Sequence, residues 1–350
     1  MHYLLFLFCL AAACGQGQTQ SAATAPAAEK KTETFRIAFG SCAHQDHPQP
    51  ILDKIVAQNP QLFIYLGDNI YGDSRRPDTL RAKYARLGAK PGFQRLRGAC
   101  KVCAVWDDHD YGENDAGKYY PLKKESKDIF LDFWQEPENS ERRLHEGIYH
   151  SFFTGPNNQV QVILLDTRTF RSNLLPNDGS AGRKNDYRPH VSCDSTMLGG
   201  KQWRWLEDQL KKDAKLRIIA TSTQFAHAYN GYESWTNFPC EQRQMLLLIR
   251  GMKANGVVFI SGDVHWGEIS KRETNGLYPI YDVTSSGLTQ TWDGTEPNEF
   301  RVGEAVPENN FGLIEIEMKD GGDWLLHMKL IDVNGTVRVK ETVPVKKLQF

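Results

Sequence analysis

The sequence predicts an α/β fold of two packed sheets flanked by helices, closed by antiparallel strands toward the carboxyl terminus. Three observations carry this prediction. Up to about residue 260, short apolar runs alternate with stretches of helical spacing, which is how strands separated by crossover helices read. Five of those runs end in polar, metal-capable residues. Residues 36–39 lead into Gly40-Ser41-Cys42, 62–66 into Gly67-Asp68, and 102–106 into Asp107-Asp108-His109-Asp110. Residues 162–165 lead into Asp166-Thr167-Arg168, and 257–260 into Ser261-Gly262-Asp263-Val264-His265. After residue 265 helical spacing stops, and β-rich segments follow one another through Gly-containing turns such as Asn334-Gly335.

Each element has a local reason. The run 62–66 (LFIYL) is short, β-rich and bounded by turn residues, so it reads as a buried strand. A helix is expected near 50–58, where Pro50 suits the first turn. The stretch from 67 to 98 is basic and reads as loop-rich. Ile129, Phe130, Phe133 and Trp134 recur at helical spacing within 123–135, and Pro137 ends that helix. Strands are expected near 148–153 and 159–165. Residues 171–197 form a polar insertion too long for a mere connector, placed at the rim of a site. Gly199-Gly200 opens a helix through 214, with Trp203, Leu206 and Leu210 on its apolar face. A strand at 216–221, a helix at 240–255, and strands at 257–260, 266–272, 279–285, 311–318, 324–331 and 336–343 complete the pattern.

At 350 residues, 40% hydrophobic and 24% charged, the chain has ordinary globular composition. A formal net charge of −1, with Lys and Arg scattered singly or in twos, excludes a diffuse nucleic-acid-binding face. Seven cysteines show no zinc-ribbon spacing; Cys103 reads as core packing, and Cys193 and Cys240 are available to pair in an exported protein. Residues 1–13 form a hydrophobic run too short to span a bilayer, ending in small residues before Cys14. This resembles a bacterial lipoprotein signal with Cys14 as the lipidated residue; an ordinary secretory signal is the alternative. Residues 14–33 read as a flexible tether, and 34–350 as one catalytic domain.

At the strand ends, Cys42, Asp68, Tyr71, Asp108, Asn114, Asp263 and His265 combine two kinds of donor. Hard oxygens suit Ca²⁺, Mg²⁺ or Mn²⁺, whereas thiolate, phenolate and imidazole suit a transition metal, Fe³⁺ in particular. Two ions ~3.5–4 Å apart, bridged by a carboxylate such as Asp68, can activate water and clamp an in-line phosphoryl displacement. Bland readings exist for single members: a lone cysteine packs, an aspartate after glycine forms a turn, a tyrosine fills core. Three acids around His109 are harder to accommodate without cations, because they repel one another.

Gly67-Asp68, Asp108-His109 and Gly262-Asp263-Val264-His265 are spaced as in the calcineurin-like metallophosphoesterases. The segments 39–42, 66–73, 106–115, 165–171, 199–210, 233–249 and 260–268 together resemble the PhoD-like alkaline phosphatase/phosphodiesterase family, in order along the domain. The resemblance implies an α/β/β/α metallophosphoesterase sandwich. It also implies Fe³⁺ at Cys42 and Tyr71, Asp68 bridging to Ca²⁺, and Asp108, Asn114, Asp263 and His265 completing the shells, with Mn²⁺ or Zn²⁺ as other choices. The expected chemistry is in-line attack of metal-bound hydroxide on a small phosphate ester. His109 would serve the leaving oxygen, and Arg168 would grip non-bridging oxygens by its fork. His44 and His227 sit in loops without an assigned role. Export to a periplasm or cell surface is expected, with membrane contact only through the anchor. The rival expectations are a surface-anchored binding lipoprotein without turnover, and a diesterase devoted to one nucleotide, phospholipid or wall polymer.

Overall fold

A computed structural model describes residues 1–5, 34–179, 184–319 and 322–350. The chain divides into two units, Met1–Thr32 and Glu33–Phe350. In the first unit only residues 1–5 are described; they are exposed and without regular structure. The expected lipidation site at Cys14, nearly all of the signal and the tether lie outside the described residues. Among the described residues, no helix is long and apolar enough to cross a membrane.

In the second unit β1 (Thr34–Gly40) and β2 (Leu62–Leu66) flank α1 (Ile51–Ala57), and α2 (Pro77–Gly88) and α3 (Pro91–Ala99) precede β3 (Lys101–Val105). Next come α4 (Asp108–Tyr111), α5 (Lys123–Phe133), α6 (Glu141–Leu144), β4 (His150–Thr154) and β5 (Val160–Leu164). The insertion holds a small hairpin, β6 (Leu175–Pro176) and β7 (Tyr187–Arg188), before α7 (Gly199–Leu210) and β8 (Leu216–Ala220). After α8 (Pro239–Gly251) and β9 (Val257–Ser261) the chain is all β: β10 (Gly267–Thr274), β11 (Leu277–Ser285), β12 (Arg301–Val306), β13 (Asn310–Met318), β14 (Trp324–Asp332) and β15 (Val337–Pro344).

One sheet runs β15-β14-β13-β1-β2-β3 and the other β12-β10-β11-β9-β8-β5-β4. β1, β2 and β3 are parallel, as are β5, β8, β9 and β11; β13, β14 and β15 pair antiparallel. Both sheets contribute to one continuous apolar cluster, with Ile37, Phe39, Ile64, Ile314 and Leu326 from the first and Val162, Ile218, Phe259 and Val283 from the second. Helices cover the outer faces; Gln161 on β5, for instance, donates to the Gln209 carbonyl of α7 at 3.1 Å. The predicted fold class stands.

Residues 77–99 differ from expectation. The basic stretch read as loop forms two helices, because Pro77 and Pro91 occupy first-turn positions where a missing N–H costs nothing. Leu80, Tyr84 and Leu87, then Phe93 and Leu96, bury one face of each. The intervening Lys and Arg hid that period. β12 was also not anticipated, since its RVGEAV lacks a long apolar run. Cys193 and Cys240 form a disulfide that ties the end of the insertion to the start of α8.

Candidate metal centre

The parallel strands of both sheets deliver their polar ends to one place. β1 ends at Cys42, β2 at Asp68, β3 at Asp107 and Asp108, and β9 at Asp263 and His265. The chain turns sharply here to aim side chains inward. Cys42, Asp68, Asp263 and His265 have φ of 62°, 49°, 78° and 64°, a left-handed conformation costly for non-glycine residues, roughly 1–3 kcal/mol each. Gly67 has φ 103°, and a Cβ there would lie 2.5 Å from the Asp107 Cβ, so glycine is required for the β2 and β3 ends to approach.

Ligand-capable atoms of Cys42, Asp68 and His265 lie within 4.8 Å of one another, as do those of Asp68, Asp108 and His109, and of Asp107, Asp108 and Asp263. Cys42 Sγ is 3.5 Å from Asp68 Oδ2 and 3.1 Å from Ser286 Oγ. Buried Asp68 Oδ1, Asp108 Oδ1, Tyr71 Oη and His265 Nδ1 have no hydrogen-bond partner among the described residues, and Asp108 Oδ1 has only an ion pair with Arg168 at 3.6 Å. Buried polar atoms are normally paired, so carboxylate oxygens and an imidazole nitrogen left without hydrogen bonds in one pocket, with the Tyr71 ring packed beside His109, are a donor set fitted to cations. Asn114 is exposed, lines the same pocket and donates to Asp115 Oδ2 at 2.9 Å.

The protein's own charges are strained. Burial, with Asp108, Asp107 and Asp110 adding, pushes the Asp68 carboxyl well above its usual range, and burial with Asp107 does the same to Asp263. Burial, with Asp68 adding, raises the Cys42 thiol, and burial with Cys42 and Asp68 raises the Tyr71 phenol. Each of these groups ligates best when ionised, a state that a cation favours. Burial also works against charge on Asp108, but Arg168 and His109 overcome it and hold that carboxyl at about 2. Against the same desolvation, Asp68, Asp108 and Asp73 push the His109 imidazole up to about 11.

His109 Nδ1 sits 2.6 Å from Asp73 Oδ1, which fixes the ring and leaves its other nitrogen for the pocket that His109 lines. Arg168 lies elsewhere. The expectation that it grips substrate oxygens does not fit its surroundings, for it is 1% exposed beneath the pocket. Its Nε donates to Asp107 Oδ1 at 2.6 Å, Nη1 pairs with Glu233 Oε2 at 2.5 Å, and Nη2 pairs with Asp107 and, at 3.6 Å, Asp108. Its guanidinium is thus taken up by the buried acids around it. His44 stacks on Tyr71 with ring centroids 4.9 Å apart, and His227 is buried 3.5 Å from Glu268 Oε1.

The pocket holds about 180 Å³ and is lined by Asp68, Asp108, His109, Asn114, Asp263 and His265, and also by residues the sequence reading passed over. Asp186 and Tyr187 come from the insertion, Tyr232 and Glu233 from the following loop, and Asp115 and Trp292 from turns. Asp115 and Glu233 bring carboxylate oxygens within 4.8 Å of Asp108, and Asp107 stands equally near Asp108 and Asp263. A second acid beside Asp108 was legible in the sequence; Glu233 was not, because only folding carries it there.

The PhoD-like phosphatase family model matches residues 37–293, which contain every one of these loops. The chain belongs to the PhoD-like phosphatase family. It is similar to alkaline phosphatase D of Bacillus subtilis (strain 168), with 25% identity over 306 residues covering 76% of this chain and 51% of that one. The chain thus spans about half the length of the curated relative it matches. Among solved structures, that of PhoD matches with a TM-score of 0.68 at 17% identity, over 91% of this chain and 73% of that one. A Plasmodium protein described as GAP50, the anchor in the inner membrane complex, matches at 0.58 with 14% identity over 89% of both chains. A dimetal phosphatase from Danio rerio matches at 0.55 with 15% identity, over 89% of this chain and 99% of that one. These structural likenesses are likenesses of fold: the two-sheet α/β architecture is the one found in PhoD.

Proposed function

We propose that this PhoD-like chain is an exported, metal-dependent phosphoric ester hydrolase acting on phosphate mono- or diesters. The observation that carries the reading is that Asp68, Asp108 and His265, each with a buried atom that makes no hydrogen bond among the described residues, line one pocket. Cys42, Tyr71, Asp68 and His265 would hold Fe³⁺, and Asp68, Asp108, Asn114 and Asp263 would hold Ca²⁺. When bound, such ions supply Lewis acidity and lower the pKa of water. The chain's own residues do the rest. The strained loops hold the donors in place, and the Asp73–His109 pair sets an imidazolium where a leaving alkoxide needs a proton. Arg168 keeps Asp107, Asp108 and Glu233 in place from below.

The Cys193–Cys240 disulfide supports export, because such bonds persist in oxidising compartments. The lipid anchor at Cys14 is part of the same proposal, tested by radiolabelled fatty-acid incorporation into wild type and Cys14→Ala. The fold alone does not decide turnover, since the Plasmodium anchor shares it. The deciding experiment is metal analysis of the purified domain with hydrolysis of p-nitrophenyl phosphate and bis-p-nitrophenyl phosphate. Bound iron and calcium are expected, with turnover falling by about 10²–10⁴-fold in His109→Ala and at least as far in Cys42→Ala. A folded, metal-free protein that hydrolyses neither ester would defeat the proposal and leave a binding protein.

A further inference from the structure

Apart from His109 and Val264, the pocket residues beyond the candidate ligands are aromatic or acidic. Tyr187, Tyr232 and Trp292 supply aromatic surface, and Asp115, Asp186 and Glu233 supply carboxylates. Among the described residues no lysine or arginine lines the pocket. Trp292 lies flat on His265, with centroids 4.9 Å apart and planes 4° from parallel, and Tyr232 meets it edge-on at 5.3 Å. The indole is nevertheless 44% exposed. Asp186 is exposed and makes no ion pair among the described residues, whereas Glu233 is only 5% exposed and is paired with Arg168 and Arg171, which leaves Asp186 as the open carboxylate of the mouth.

We infer that this aromatic and acidic mouth is a subsite for a small cationic alcohol arm, an ammonium or quaternary ammonium group carried by the phosphate ester. The inference rests on the phosphoesterase reading above and narrows its substrate class. A cation is drawn to an aromatic face by the ring quadrupole, and nearby carboxylates add Coulomb attraction. A polyanionic arm, such as a nucleoside polyphosphate, would bring negative charge against Asp115 and Asp186, with His109 the one cationic side chain among the described residues of the lining. A neutral apolar arm would use the rings but leave Asp186 without a countercharge. The volume of about 180 Å³, shared with the phosphoryl group, favours an arm of a few heavy atoms.

Phosphocholine and its uncharged isostere 3,3-dimethylbutyl phosphate test this as competitors against whichever chromogenic ester is hydrolysed. Both carry the same phosphate and the same shape, so their ratio isolates the cation. Phosphocholine should have an inhibition constant about tenfold lower. The ratio should fall to about unity in Trp292→Leu and shrink in Asp186→Asn, which keeps shape and removes charge. Because Trp292 also packs on His265, the ratio and not the absolute rate is the readout. Equal inhibition by the two competitors, or a ratio unchanged in both variants, would overturn the inference while leaving hydrolysis intact. Failure to hydrolyse either chromogenic ester would instead overturn the underlying function.

Discussion

Two groups of buried aspartates follow strand ends in the same domain and behave oppositely, two of them, Asp108 and Asp110, within one turn of chain. Asp110 and Asp166 are saturated by the protein. Asp110 accepts from the Asp68 and Asp107 amides at 3.2 and 2.6 Å, from Asn69 at 2.5 Å and from Tyr84 at 3.2 Å. Asp166 accepts from Trp106 Nε1, from the amides of Ile148, Arg168 and Thr169, and from the Thr169 hydroxyl, at 2.6–3.0 Å. Asp68 and Asp108 are also buried, yet each keeps an oxygen that accepts no hydrogen bond among the described residues, the Asp108 one having only Arg168 at 3.6 Å. A buried acid with every lone pair used is architecture. One with an oxygen left over, among other acids, is arranged for something that is not protein.

Asp68→Asn tests this contrast with the largest expected effect. Turnover should fall by about 10³-fold or more, since a carboxylate proposed to hold the metal would be lost. Stability should move the other way in chelator-treated protein. The Asp68 carboxyl titrates well above its usual range, so its contribution to stability is present at low pH and lost as pH rises through the raised value. At neutral pH asparagine therefore relieves repulsion, and Tm of the stripped variant should equal or exceed that of wild type. A clear drop would place Asp68 with the architectural acids.

Asp166→Ala is the reciprocal test. It strands five donors, and stability should fall by on the order of 4 kcal/mol, seen as a lower urea midpoint with little change in metal content of the folded fraction. An unchanged midpoint would break the comparison from the other side.

The smallest effect concerns a buried histidine away from the pocket. Burial holds the His227 imidazole down at about 4, against the pull of Glu268. The unfolded chain takes up that proton near pH 6.5 and the folded chain does not. The stabilisation is therefore full above about pH 6.5 and is lost as pH falls toward 4, by up to about 3 kcal/mol. His227→Gln should flatten that limb when urea midpoints at pH 7 and pH 4.5 are compared. An unchanged slope would assign the acid sensitivity to other groups.

Much of this was legible beforehand, and the reasons are local. Residues 62–66 and 257–260 are apolar, β-rich and bounded by turn residues, so their strands and the acids following them could be read directly. Cys42, Asp68, Asp108, Asp263 and His265 could be named as candidate donors because each sits just past such a strand. What escaped had no local signature. The helices at 77–99 were masked by charge between their apolar positions. Arg168 looked available to substrate until packing placed it under the floor, between Asp107 and Glu233.

The sequence by itself determined the elements, their order and the donor types, because periodicity, turn residues and side-chain chemistry act over a few neighbouring positions. Tertiary structure alone decided which acids were satisfied and which were left open, and which loops met at the mouth. Glu233 lies 125 residues beyond Asp108, and Trp292 lies 27 beyond His265. Only the parallel crossovers of the two sheets and the left-handed turns at their strand ends bring such residues within reach of one another.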